Sequence, residues 1–563
     1  MLALIPLWPL VIGLGILALS RLRENVIHHL AMVGMAGFGV LVGWAIAGWG
    51  VGHPPGDWQS TLLSWNVDSA NGYRFVLALH LDRTAATFLL VTAALSGMVA
   101  RFSHYYMHRE PGQARYFATL MLLASGMAML ELAANIETLF VGWELVGMGS
   151  FLLVGYYRER EHPIRNALLV YSVYRICDMG ILLSAYLQHH HYGSSNFEEL
   201  SRCAAPDSWL FPIALLILLS AAGKSGQFPF SFWVPRAMEG PTPSSAIFYG
   251  ALSIHAGVFL LLRTSPVWFD SPAARLCIGL VGGVSALLAT WIGHVQCNIK
   301  GQIGYASVAQ VGLMFVELAL GLESLVLVHF VGNASLRCYQ LLVSPSAVAH
   351  LLRLQSSTFG QQQGRFSDWS WERVLPNRLR SSLYVLASQE ASMPRILERY
   401  FFAIPQWTAR HLLGENGTLA GVWTRSLVLI LGLTLGAGLG PRGEGIWYPF
   451  VIALLTSYLL GIAAAASLPR RLRNLPLSQF YGLARSFPWQ ARLTFLSFLG
   501  MSGFPISPVF FGEDLLLSSV IHVHPGLVVV FALVFMLNGV VLARSFSRLY
   551  LGRPATGVFG SKC

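Results

Sequence analysis

In the run LFPIALLILLSAAGKSGQFPF an ammonium, Lys224, ends a stretch of nearly unbroken aliphatic residues, and a helix breaker, Pro229, follows shortly after. Glu144 occupies the middle of an equally apolar run, LFVGWELVGMGSFLLVGYY, while Asp178 lies in YSVYRICDMGILLSAYL and His255 in FYGALSIHAGVFLLLR. His329, Asn333 and Arg337 recur every fourth residue, which lines them up along one helix face. Glu513 and Asp514 follow a proline-interrupted segment, GFPISPVFFGEDLLL. A charge held in hydrocarbon costs at least about 2.5 kcal/mol on insertion scales, so such residues face a protein interior or an aqueous path. Burial brings the protonation of such groups within reach of neutral pH. Carboxylates, a lysine and histidines on separate spans are the groups a proton path needs, and Lys224 is placed to be titrated. The plainer reading applies to Arg175 and Asp178, which share a helix face three residues apart and are expected to pair as a structural clamp.

The elements that must hold these residues follow from composition. Of 563 residues, 55% are hydrophobic and only 11% charged, with mean hydropathy +0.58, against roughly 25% charged in a soluble protein. Apolar runs long enough to cross a bilayer recur from end to end, so the expectation is an all-α polytopic membrane protein with about fifteen transmembrane helices. The first run, LALIPLWPLVIGLGILALS, has no basic segment before it and reads as the first span rather than a signal peptide. Arginine-rich segments such as RFSHYYMHREPGQAR, YYREREHPIR and LPRRLRNL fall on one side when the spans are counted through. That places the N-terminus outside and the C-terminus in the cytoplasm.

The chain divides into N-terminal transmembrane helices (1–110), a first half (111–265), the start of a second half (266–349), a polar insert (350–424) and C-terminal helices (425–563) that include a broken helix near 505. The insert, with Trp, Leu and Tyr among Gln, Ser and Arg, suggests amphipathic helices on the cytoplasmic face and a docking platform for a soluble partner. Prolines cluster in FPFSFWVPRAMEGPTPSSA and in GFPISP. Broken helices are tolerated where they line a cavity, and a break in each half points to the transport site. The net charge of +11 fits retained loops better than nucleic-acid binding. No phosphate-binding loop, dinucleotide fingerprint or paired-cysteine metal site occurs. The histidines at 189–191, 104 and 108 sit at span ends and read as interfacial, so no metal and no cofactor are expected in this chain.

The segments LFVGWELVGMGSFLLVGYY, YRICDMG, GKSGQFPFSFWVPRAMEGPTPSSA and NIKGQIGYASVAQVGLMF resemble the antiporter-like proton-translocating subunits of respiratory complex I and of multi-subunit cation/proton antiporters. The resemblance implies two inverted five-helix repeats around a polar axis. It also implies Glu144 and Lys224 as the first half-channel's pair, and Lys300 and His329 as central relays. Departures accompany it. Glu513 stands where the respiratory subunit carries a lysine, Asn333 and Tyr249 replace histidines, and His255 is added. The sequence has no room after its last span for the lateral helix of the distal complex I subunit. The combination looks most like the membrane subunits of the DAB inorganic-carbon accumulation complexes of autotrophic bacteria. That resemblance implies a bacterial inner-membrane location and a large cytoplasmic partner similar to a β-carbonic anhydrase, which carries zinc and the hydration chemistry. This chain would then conduct H⁺ or Na⁺ without being an enzyme itself. A pump module of a complex I-like quinone oxidoreductase and a Na⁺/H⁺ antiporter subunit are the alternatives.

Overall fold

The computed structural model describes residues 2–20, 23–50, 59–66, 74–203, 209–296, 298–344, 376–411, 414, 417–436, 447–505, 507–513 and 525–553. Helices Leu4–Ala18 (α1) and Glu24–Gly50 (α2) lead into an antiparallel hairpin, Gln59–Asn66 (β1) and Arg74–His80 (β2), with Gln59 opposite His80 and Asn66 opposite Arg74. This hairpin is the one sheet among the described residues of an otherwise helical fold. In FVLAL the buried residues alternate with half-buried ones, the two-residue period of a strand with one face on a core.

Arg83–Tyr106 (α3), Gln113–Glu131 (α4), Ile136–Val154 (α5), Glu161–Tyr192 (α6) and Leu210–Lys224 (α7) follow. Then come Thr242–Arg263 (α8), Pro272–Val295 (α9), Ile299–Ala319 (α10) and Glu323–Val343 (α11). The described part of the polar insert forms three short helices, Asn377–Ser388 (α12), Met393–Tyr400 (α13) and Ala403–His411 (α14), while residues 350–375 lie outside the described residues. Leu419–Gly436 (α15), Trp447–Ala466 (α16), Pro488–Met501 (α17) and Pro525–Tyr550 (α18) complete the chain.

The protein is a multi-pass membrane protein. Among the described residues nine helices are long and apolar enough to cross a bilayer, and α1, α7 and α15 are shorter apolar helices. Nine, rather than about fifteen, therefore meet that measure. Breaks shorten α7 and α17, and GQIGYASVAQVG makes α10 more polar.

Burial separates centre from rim. The most apolar windows of α5 and α6 are 94% and 83% buried, against 33% for α2 and α9 and 28% for α16. The outer helices turn Val40, Trp44, Leu280, Leu287 and Ile452 outward, as lipid-facing helices must. The central helices approach closely. A Cβ at Gly180 of α6 would sit 2.2 Å from the Leu216 carbonyl of α7, so only glycine allows that contact. Beside it, the Ser220 hydroxyl donates to the Cys177 carbonyl at 2.6 Å and accepts from the Ile181 amide at 2.9 Å.

Both expected breaks are present. α7 stops at Lys224, and α17 stops at Met501, before residues 508–513 resume a helix. A third irregularity lies in α8, which is π-helical over Ala246–Ala251 and 3₁₀ over Ser253–His255, a pattern common at functional positions.

Candidate functional site

A group of deeply buried charges meets between α5, α6 and α7. Asn135 caps α5 by accepting from the Thr138 amide at 3.1 Å, which fixes the register that turns Trp143 and Glu144 inward. Arg175 of α6 reaches across to Glu144, Nη1 to Oε1 2.6 Å, and both side chains are 4% exposed. The expected Arg175–Asp178 clamp is therefore not formed. The guanidinium takes the carboxylate offered by the neighbouring helix, and its Nη2 donates to the Ser502 carbonyl at the second break, 2.8 Å away. Asp178 instead accepts from the indole Nε1 of Trp143.

Lys224 does not pair with Glu144 either. Its Nζ donates to the Trp143 carbonyl at 2.9 Å and lies 4.4 Å from the Tyr174 ring centre and 4.9 Å from that of Trp143. Gly147 makes the room, since a Cβ there would stand 3.1 Å from Nζ. Trp143 thus joins the two partners, bonded to Asp178 by its ring and to Lys224 by its carbonyl. Aromatic faces and a carbonyl dipole hold the ammonium in place of a direct carboxylate partner.

Glu513 belongs to the same site. A cavity is lined by Glu137, Phe140, Arg175, Leu182, Gly503, Phe510 and Glu513 among others. Gly503 has φ +64°, and a Cβ on it would come within 2.0 Å of Glu513 Oε2. The left-handed backbone at residue 503, which favours glycine, thus lies directly against the carboxylate. The sequence reading assigned Glu513 to a second half and Glu144 to a first, whereas the fold brings both to Arg175. Asp514 lies outside the described residues.

Beyond Lys224 the buried hydroxyls of Ser150, Tyr174, Tyr249 and Ser253 gather within interaction range of one another. They lead toward His255, whose bonding partners fix its tautomer. Arg337 Nε donates to Asn333 Oδ1 at 3.2 Å, and Asn333 Nδ2 faces His255 Nε2 at 3.0 Å, leaving Nδ1–H to donate to the Ala251 carbonyl. His255 is thus neutral as it stands, and its partners Asn333 and Arg337 join it in one chain.

His329 stands apart, one turn before Asn333, between Glu317 Oε1 and Gln310 Oε1 at 2.8 Å each. Lys300 is not a central relay by position. Asn298 caps α10 by accepting from its amide at 3.1 Å, which sets the half-buried Lys300 in the first turn, at the end of the helix.

Several site groups escaped the sequence reading. Glu317 in MFVELAL and Glu131 in AMLELAAN are carboxylates in apolar runs, the same signal that exposed Glu144. Glu131 is fully buried, bonded by the Thr92 hydroxyl. Glu137 lies seven residues before Glu144, on the same face of α5. His189 pairs with Glu137 at 2.7 Å, and His191 stacks on Trp209. Among the described residues, no three His, Cys, Asp or Glu side chains converge to hold a metal ion.

Comparison with known proteins finds relatives for both the sequence and the fold. Residues 133–354 match the family described as NADH:quinone oxidoreductase/Mrp antiporter, TM, and residues 65–117 match the N-terminus of complex I chain 5. The NADH-quinone oxidoreductase subunits L of Pseudomonas aeruginosa and Escherichia coli are 32% and 31% identical, over 61% and 62% of this chain and 56% and 57% of their own. The chain therefore spans little more than half the length of these relatives. A chain of the Mrp complex from Dietzia sp. superposes with TM-score 0.53 at 18% identity, over 92% of this chain and 71% of that one. A chain of the archaeal membrane-bound sulfane sulfur reductase gives 0.52 at 22% identity, over 60% and 69%. Residues 133–354, which carry Glu144, Arg175, Asp178, Lys224, His255 and Asn333, are thus similar to the antiporter-like subunits of complex I and Mrp antiporters.

Proposed function

We infer that this chain is a proton-translocating subunit of a larger membrane complex, without catalytic chemistry of its own. The observation that carries the reading is the buried polar row itself. It runs from Glu513 through Arg175 and Glu144 to Trp143, Asp178 and Lys224, and on past the hydroxyl cluster to His255, Asn333 and Arg337. Buried charges are expensive in a membrane, and these are arranged as exchangeable neighbours rather than as one closed clamp. In the proposed cycle Lys224 gives its proton toward Asp178 on one side or toward the hydroxyls and His255 on the other. The Arg175 guanidinium stays charged and sets which of Glu144 and Glu513 is ionised. Lys300 and His329 are proposed to serve farther out along α10 and α11.

The relatives named above are respiratory and antiporter subunits, which favours a redox-driven or cation-exchange assembly over inorganic-carbon uptake. The carbon reading, with its zinc-bearing carbonic-anhydrase-like partner at the face of α12–α14, rests on the sequence resemblance alone. The proposed inner-membrane location follows the bacterial relatives, and the N-terminus outside follows the one-sided arginine-rich loops.

The test is proton flux into liposomes that carry the chain with its native partners, as wild type and as Lys224→Ala, at equal protein content. Flux lost in the variant supports the reading, and flux unchanged by it removes Lys224 from the path. Co-expression with its genomic neighbours in a carbonic-anhydrase-deficient bacterium separates the assemblies. Growth in ambient air that requires Lys224 would restore the carbon reading. Failure of a well-expressed wild-type set would leave the respiratory and antiporter readings.

A further inference from the structure

We propose that Glu137, His189 and Ser195 form a proton port at the membrane face where α5 begins and α6 ends, opening into the cavity that holds Arg175 and Glu513. The port rests on the proton-translocation reading and names where the buried row meets water.

Glu137 is 6% exposed, yet its carboxylate oxygens have separate partners. His189 Nε2 lies 2.7 Å from Oε1, and the Ser195 hydroxyl donates to Oε2 at 2.6 Å. The mouth is a built structure. The Ile136 amide donates to the Ser195 carbonyl at 3.3 Å and the Phe197 amide to the Ala134 carbonyl at 3.1 Å. The hairpin joins in, with Asn135 Nδ2 donating to the Val76 carbonyl at 2.6 Å and the Ala78 amide to the Thr138 hydroxyl at 2.9 Å. Exposed Glu198 and Glu199 stand on the same rim, where negative charge raises the local concentration of cations.

From this mouth the cavity runs inward. Glu137 and Glu144 lie two turns apart on one face of α5, about 10.5 Å along the axis. Arg175, Leu182 and His189 repeat every seven residues on α6. One acid–base pair, Glu137–His189, therefore stands at the rim of the groove that has Glu144–Arg175 at its floor. Between them Phe140 stacks on Phe510, ring centres 6.0 Å apart, and Phe75 of the hairpin meets Phe510 and Phe511 edge-on. These rings form an apolar constriction. A proton taken up by the Glu137–His189 pair passes it when the rings part, and reaches Glu513 or Glu144, whichever Arg175 has left ionised.

A mere staple between α5 and α6 would use the same ion pair, so the test needs a readout that a staple does not move. The full chain with its partners, reconstituted in liposomes, is compared as wild type, Glu137→Gln and Glu137→Asp for proton flux per folded protein. In parallel, Ala185→Cys, on the cavity wall, is exposed to a membrane-impermeant cationic thiosulfonate from each side, and labelling above the wild-type background is read. The port predicts a loss of roughly tenfold or more in Glu137→Gln, substantial flux in Glu137→Asp, and labelling of the introduced cysteine from the α5 N-terminal side only. Full flux in Glu137→Gln while wild type conducts overturns the port and leaves the translocation reading standing. A cysteine that is not labelled from that side overturns the port whatever the flux. Absence of flux in wild type overturns the translocation reading, and the port with it.

Discussion

At the scale of single residues, the decisive fact is that Arg175 serves Glu144 and the Ser502 carbonyl together. Removing one member of a buried ion pair strands the other and costs about 3–5 kcal/mol, whereas replacing both with apolar residues is often neutral. Arg175→Met is therefore expected to lower thermal stability sharply in detergent. Arg175→Met combined with Glu144→Leu should recover most of it while conducting no protons. Scanning fluorimetry and flux on the same preparations check both halves.

A second prediction concerns Asp82, which precedes α3 and caps it by accepting from the Ala85 amide at 2.7 Å. Burial by itself would raise this carboxyl, but Arg263, 2.5 Å away, and the Ala85 amide hold it below its ordinary value. A lowered folded value contributes stability that is complete above the unfolded value of about 3.9 and is lost as pH falls through the folded one. The melting-temperature gap between wild type and Asp82→Asn should thus be constant near neutral pH and close below about pH 4.

Single residues were also where the sequence was most and least legible. Lys224, Glu144, Asp178 and His255 were visible because a charge in an apolar run is a local signal. Their partners were not, because a helix face says which residues could meet within it but not which neighbouring helix comes closer. Arg175 and Asp178 share a face, and the neighbouring helix still outcompetes Asp178 with a carboxylate at 2.6 Å. Lys224 rests on ring faces and a carbonyl, a partnership without any charge pattern to read.

At the scale of elements, the breaks matter more than the spans. Proline clusters announced both of them, and the fold shows what they are for: one sets Lys224 at a helix end, the other opens a gap for Glu513 beside Arg175. The gap depends on Gly503. Gly503→Ala adds strain of order 1 kcal/mol for the left-handed backbone and drives a methyl into the carboxylate. Its effect on flux should exceed its effect on stability, which measuring both on one preparation decides.

One residue of the polar insert anchors it to the helices beside the first break. Glu390 pairs with Arg236 at 2.8 Å and accepts from the Tyr305 hydroxyl at 3.1 Å. It opens three consecutive residues with φ of 52°, 54° and 58°, a conformation that costs non-glycine residues free energy and persists only where surroundings impose it. Glu390→Ala should release that turn, seen as faster hydrogen exchange across α12 and α13 with α5 and α6 unchanged. Composition announced an amphipathic insert, but no sequence pattern showed that it grips the loop after the first break.

At the scale of the whole molecule, the paired breaks were legible in the sequence, and their meeting at one site was not. Glu513 lies far from Arg175 in sequence and lines the same cavity in the fold, a closure made by α18, which packs along α6. That closure changes the expected logic of transport. Two independent half-channels would lose flux additively when one residue of each is removed. Groups placed in series along one path share a single resistance, so their effects should be strongly non-additive. Lys224→Ala and Glu513→Gln are each expected to remove most of the proton flux, and the double variant little more than either. A flux in the single variants near half of wild type, with loss only in the double, would show two parallel paths. The row through Arg175 would then be a structural brace between them.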